Sequence, residues 1–270
     1  MKKAITIFLV LQLVLILFAP SVFGIDDDAK YICYTSTDDT FKSIIYVDDD
    51  GGANYTKIQD AIDNATSGDT IIVYNGTYNE NIVVNRKLDI FGSGDSTIIG
   101  IDETEGKPVV FIEVTGVIFS KFKIQGFFDG IYLSGVNDCQ ITYNHIDNNE
   151  RGIYLIESFD NVISNNTIVH NTKYGIMLQR CAHDYIQSNE FTLNEGIALF
   201  ISDAANNEIK YNNFRDNQIN AFFINAPINY YVENYWDRSR AFPKIIFGLR
   251  SILPWVNFDW HPAKEPYDIT

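Results

Sequence analysis

The sequence predicts an all-β chain wound as a right-handed parallel β-helix, a single-stranded solenoid with a short N-terminal capping helix. Three observations predict it. An asparagine recurs at 144, 166, 189, 212 and 234, each time inside a strand-like stretch, from Ile141-Thr-Tyr-Asn144-His-Ile146 to Tyr231-Val-Glu-Asn234-Tyr-Trp236. A Gly-Ile pair runs beside it at 130, 152, 175 and 196, with Ala221-Phe222 as a worn fifth copy. Composition agrees: about a tenth of the residues are asparagine, aromatics make up 14%, and Met is nearly absent, which suits many short strands separated by turns. A period of 22–23 residues marks a repeat architecture, in which one coil buries almost nothing and stacking creates the core.

The elements follow in order. Residues 1–24 read as a signal peptide, with Lys2 and Lys3 ahead of an apolar run to Ala19 and small residues near Gly24. Residues 25–43 form a linker next to the leader, 44–237 the β-helix, and 238–270 a C-terminal segment. Ile58, Ala61, Ile62 and Ala65 recur at spacings of 3 and 4, which predicts a helix over 57–65 capped by Thr56. That helix closes the N-terminal end, where an open solenoid would expose core and strand edges. The stretches 69–74, 82–84 and 88–91 carry strand signals. The final segment is rich in Phe, Ile, Leu and Trp, and it is expected to cover an apolar sheet face or cap the β-helix.

Charge excludes one class of partner. The chain has 20 Lys+Arg against 35 Asp+Glu, a net −15. Nucleic acid is therefore not an expected partner, because phosphate backbones need clustered cations. Membrane attachment is expected only through an uncleaved leader, and a monomer is expected. Cys139 and Cys181 fall two coils apart, too far to bridge, so they are expected to be free or linked to Cys33.

Coil geometry selects candidate residues. Asp129 and Arg151 precede successive Gly-Ile pairs and reach about 5 Å apart on neighbouring coils. They read as a surface ion pair, as do Glu157 and Arg180. The same column is expected to continue through Tyr174, Glu195 and Asn220. Alternation turns Tyr132, Tyr154, Met177, Ala198 and Phe223 outward, with Ser134, Ile156, Gln179, Phe200 and Asn225 beyond them. Tyr132, Tyr154, Asp129 and Arg151 form the candidate carbohydrate-binding set, since aromatic platforms accept sugar rings. Asp138, Asp160 and His183 occupy one turn column whose oxygens and imidazole suit a cation, Ca²⁺ above all; no other cofactor is expected. Turn capping explains the same column. The recurring Asn144, Asn166, Asn189, Asn212 and Asn234 are expected to be a structural ladder.

Asp50-Gly51, Tyr55-Thr-Lys-Ile-Gln-Asp-Ala, Gly68-Asp-Thr-Ile and Gly76-Thr-Tyr78-Asn-Glu80 resemble the N-terminal cap of pectin-lyase-like β-helix proteins. The Asn and Gly-Ile repeats, closed by Asn234-Tyr-Trp236-Asp237, resemble the NosD and parallel β-helix repeat family. The resemblance covers residues 45–237. It implies the fold strongly and the function weakly, because this fold carries many functions. The catalytic patterns of pectin methylesterases, polygalacturonases and pectate lyases are absent from the chain.

Three functions remain open at this level. The first is an exported, non-catalytic β-helix, secreted or extracytoplasmic, that binds polysaccharide or a cell-envelope component. The second is a polysaccharide lyase, hydrolase or esterase. The third is a NosD-like copper or cofactor-maturation accessory.

Overall fold

A computed structural model describes residues 42–101 and 106–269. The leader, Cys33 and nearly all of the linker lie outside the described residues. Within them the chain is an all-β, three-faced parallel β-helix with one short helix. One coil shows the plan: Gln140–Thr142 on the first face, His145–Asp147 on the second and Arg151–Ile156 on the third. The next coil repeats it in parallel register, with Ile141 on Ile163, Ile146 on Ile168 and Leu155 on Leu178. Inward Ile, Leu and Phe side chains from all three faces form one fully buried core. On the second face Phe191, Phe214 and Trp236 stack at 4.6 and 4.4 Å, pairs worth ~1 kcal/mol each beyond burial.

The corners explain the asparagines. Residues 143, 165, 188, 211 and 233 sit at φ 56, 56, 52, 58 and 53°, although none is glycine. Left-handed backbone costs such residues roughly 1–2 kcal/mol. The asparagine that follows each offsets that cost. Asn166 Oδ1 accepts the backbone N–H and the side-chain amide of Asn144, at 2.9 and 3.2 Å. The amide of Asn166 donates to the Ile141 carbonyl at 2.8 Å. The pattern repeats through Asn189, Asn212 and Asn234. It ends at Asp259, which accepts from the Asn234 N–H and the Trp236 indole at 2.9 and 3.0 Å.

Two further ladders exist that the repeated motif did not disclose. Asn149, Asn171, Asn194 and Asn217 link the second corner. Asn161, Asp184, Asn207 and Asn229 link the corner that enters the first face. Asp138, Asp160, His183 and Asn206 are the left-handed residues just before that third series, at φ 55, 57, 60 and 58°. Their shared column is therefore built by backbone bending.

The N-terminal helix spans Ile58–Asn64 and buries Ile58, Ala61 and Ile62 against the first coils. Its cap differs from expectation. Lys57 holds the N-cap position without a side-chain bond. The first free N–H groups of Ile58 and Gln59 donate instead to the Glu80 carboxylate, at 2.8 and 3.0 Å. A tertiary carboxylate thus replaces the local hydroxyl.

The C-terminal segment, expected to cover or cap, takes the capping position. Lys244–Arg250 adds a parallel strand to Ile219–Ile224, and Leu253–Asp259 folds back on it as an antiparallel hairpin. The hairpin extends the third face edge-on and closes the end of the solenoid. It does not lie across that face.

Candidate binding face

The third face carries the candidate residues. Its outward positions are fixed by strand register: Asp129 lies beside Arg151 and Tyr174, and Tyr132 beside Tyr154, Met177 and Phe200. The series then runs through Phe222 to Phe247 and starts at Phe111. Several sequence assignments need correction here, and Phe200 and Asn225 are two of them, since Ser202 and Ile224 continue the Ser134–Ile156–Gln179 column. Glu195 and Asn220 do not share the Asp129 column; Ile197 and Ile219 do. Ala198 aligns within the strand pairing one residue before Leu199, which meets Ile176, and it is buried. Phe223 points into the core, and Phe222 takes the outward position. The Gly196-Ile197 dipeptide caused the error, because it copies the motif two residues early. The asparagine ladder held the signal that finds the register: Gly130, Gly152, Gly175, Ala198 and Asn220 each lie 14 residues before a ladder asparagine.

The four candidate residues converge. Arg151 forks onto the Asp129 carboxylate, with Nη2 donating to Oδ2 at 2.8 Å and Nε donating to Oδ1. The pair is not a loose surface contact, since Asp129 is 3% exposed. Burial pushes the Asp129 carboxyl above the usual carboxylate range, and Arg151 opposes that push. The same guanidinium lies 4.3 Å above the Tyr154 ring. Tyr154 stacks on Tyr132 at 5.1 Å, and Tyr132 on Phe111 at 5.2 Å. The Tyr154 hydroxyl donates to Gln179 on the next coil. The rings spend their faces on one another and Tyr154 is buried, so this surface offers the half-buried Tyr132, the Gln179 amide and a neutralised ion pair. By contrast, Glu157 and Arg180 form an exposed 2.8 Å pair at a corner, a contact of small energetic weight.

The candidate cation column does not close up in the same way. His183 Nδ1 stands 4.0 Å from Asp160 Oδ1, both exposed, one coil apart. Among the described residues no three His, Cys, Asp or Glu side chains converge. Cys139 and Cys181 are buried free thiols. Burial pushes the Cys181 thiol up to about 12 and raises that of Cys139 as well.

The sequence pattern of the family described as "Periplasmic copper-binding protein (NosD)" matches residues 62–239. A cell surface glycoprotein of Methanothermus fervidus is 36% identical over 151 residues, covering 43% of this chain and 25% of that protein. The chain thus spans a quarter of that curated relative. Among solved structures, pectate lyase Pel9A superposes with a TM-score of 0.59 at 12% identity, over 74% of this chain and 65% of that one. The periplasmic alginate epimerase AlgG gives 0.54 at 13% identity, over 78% and 56%. At these identities the likeness is one of fold.

The copper in the family description was tested against the residues themselves. Soft copper sites need thiolate, thioether or clustered imidazole ligands. Both described thiols are buried and held protonated, Met177 stands alone among aromatics, and His145, His170, His183 and His261 share no cluster. The described residues do not fit a copper centre.

Proposed function

This chain belongs to the NosD family, and on that premise we propose that it is an extracytoplasmic, non-catalytic β-helix protein of the cell envelope. It binds a neutral polysaccharide along the third face. The relative named as a cell surface glycoprotein supports the location, as does the periplasmic description of the family. The observation that carries the binding role is the Asp129–Arg151–Tyr154–Gln179 chain of contacts. It sets paired polar groups in a row across three coils, flanked by aromatic edges. Such a row suits sugar hydroxyls spaced along a chain. It suits glycosidic cleavage poorly, because the face's buried acid, Asp129, is committed to the Arg151 guanidinium, and Glu150, whose charge acts on it, is paired with Lys173, whereas two-acid hydrolysis needs both carboxyl groups free to act.

A glycan array paired with reducing-end and unsaturated-product assays tests this reading. Binding without turnover, lost in Arg151→Ala and in Tyr132→Ala/Tyr154→Ala, is the expected outcome. Turnover of any bound glycan would sink it, and so would binding that ignores all three substitutions.

A further inference from the structure

The acid-rich chain leaves a cluster of cations without carboxylate partners at its C-terminal end. Arg151, Arg180 and Arg215 each hold an acid on a neighbouring coil. Arg238, Arg240, Lys244 and Lys264 hold none within 4.0 Å among the described residues. They are close together. Lys244 feels the charges of Arg240 and Arg238, and burial followed by those charges pulls its pKa below the ordinary lysine value, with Asp237 opposing. Arg240 Nε is buried and has no hydrogen-bond partner.

Aromatic rings stand among these cations, Phe242 largely open and Trp260 with one face stacked on Phe258 at 4.8 Å. Phe242 is 81% exposed and Trp260 63%. One cleft joins Arg240 and Phe242 to Trp260, His261 and Lys264, and an adjoining cleft joins them to Arg238. Glu233 also lines the first cleft, without an ion pair to Arg240 or Lys264. An orphaned buried guanidinium N–H is costly unless an acceptor meets it. Unpaired cations beside exposed aromatic rings, Phe242 and the free side of Trp260, match a ligand that is at once ring-shaped and anionic.

We propose that this end of the solenoid binds a carboxylate-bearing saccharide, with Arg240 and Lys264 holding the carboxylate and Phe242 and Trp260 stacking the ring. The site goes beyond the third-face reading. It takes a different ligand class, and it lies about four rungs, roughly 19 Å, beyond Tyr154 along the axis. It also answers the −15 charge, which elsewhere repels acidic sugars.

The test is titration of the protein with a glucuronate oligomer and with the same oligomer methyl-esterified, which keeps the rings and removes the charge. The acid form is expected to bind, weaken with salt, and lose roughly tenfold or more in Arg240→Gln/Lys264→Gln and in Trp260→Ala. Melting curves of each variant are expected to match the parent, Lys264 and Trp260 being exposed and Arg240 half-buried. Equal affinity for acid and ester would overturn the proposal. Unchanged binding in both variants would do the same, as would equally tight binding of poly-glutamate. Tyr132→Ala/Tyr154→Ala is expected to leave glucuronate binding unchanged. If it alone abolishes binding, the ligand belongs to the third face and the end site falls, whatever the fate of the neutral-glycan reading.

Discussion

Asp184 Oδ1 accepts both the backbone N–H and the side-chain amide of Asn161, at 2.9 and 3.0 Å, in a series where the other linking positions are asparagine. An asparagine there would donate onward as Asn161 and Asn207 do. Asp184 has no amide, and its Oδ2 is buried without a partner. Burial pushes its carboxyl up to about 7. The native state therefore holds a proton that the unfolded chain has released above the ordinary aspartate pKa of about 4, so stability falls as pH rises from there to about 7. At ~1.4 kcal/mol per unit the span is about 4 kcal/mol. Asp184→Asn is expected to melt higher than the parent at pH 8 and to match it at pH 4. Melting curves across that range check it, and a constant difference would defeat the explanation.

Removal of a ladder asparagine is expected to cost more than one hydrogen bond. Asn189→Ala strips the acceptor from the Asn166 N–H and amide, and it leaves the Ile163 carbonyl unmet. Buried orphans of this kind cost ~1–3 kcal/mol each, partly relieved by water. Chemical denaturation should read a loss of roughly 2–4 kcal/mol.

Gly152 tests the strand register. A Cβ there would stand 2.6 Å from the Gly175 carbonyl oxygen. Gly152→Ala is expected to destabilise by ~2 kcal/mol or more, since backbone must move. A neutral result in the same denaturation experiment would mean that the coils slide past one another freely.

The two described thiols are expected to be inert in the native protein. The nucleophile is the thiolate, and burial keeps Cys181 near 12 and Cys139 above its usual value. Alkylation at pH 8 should proceed at these positions only as the chain unfolds, and fast labelling of either by mass spectrometry would contradict this.

Much of this was legible in the chain. The ladder asparagines announce themselves because one residue type must both accept and donate at every coil, so the sequence repeats it. The inward Ile and Phe positions follow from that period. The other two ladders use the same spacing but lack a conspicuous motif around them; Asn149, Asn171 and Asn194 were visible as a second 22–23-residue series. Register on the third face was harder. A local Gly-Ile pair imitates the motif at 196, and only phase relative to the ladder exposes the shift. The Arg151 contacts were legible as a juxtaposition, but the burial of Asp129 was not, because it depends on the rings packed beside it. The C-terminal hairpin escaped because its apolar residues suit a cover and a final rung equally well.

The way the first ladder ends has a mechanical consequence. The shared Oδ1 acceptors of this ladder all run one way along the axis, each coil lending its acceptor to the coil before. Asp259 accepts and cannot pass the bond on. The solenoid thus has a latch at one end, and tension applied there loads that latch first. Once it gives, each further coil can be unspooled singly, releasing 22–23 residues, about 75 Å of chain at ~3.4 Å per residue. Extension of a single molecule from the C-terminus would then trace a staircase of equal treads, and Asp259→Ala would lower only its first riser.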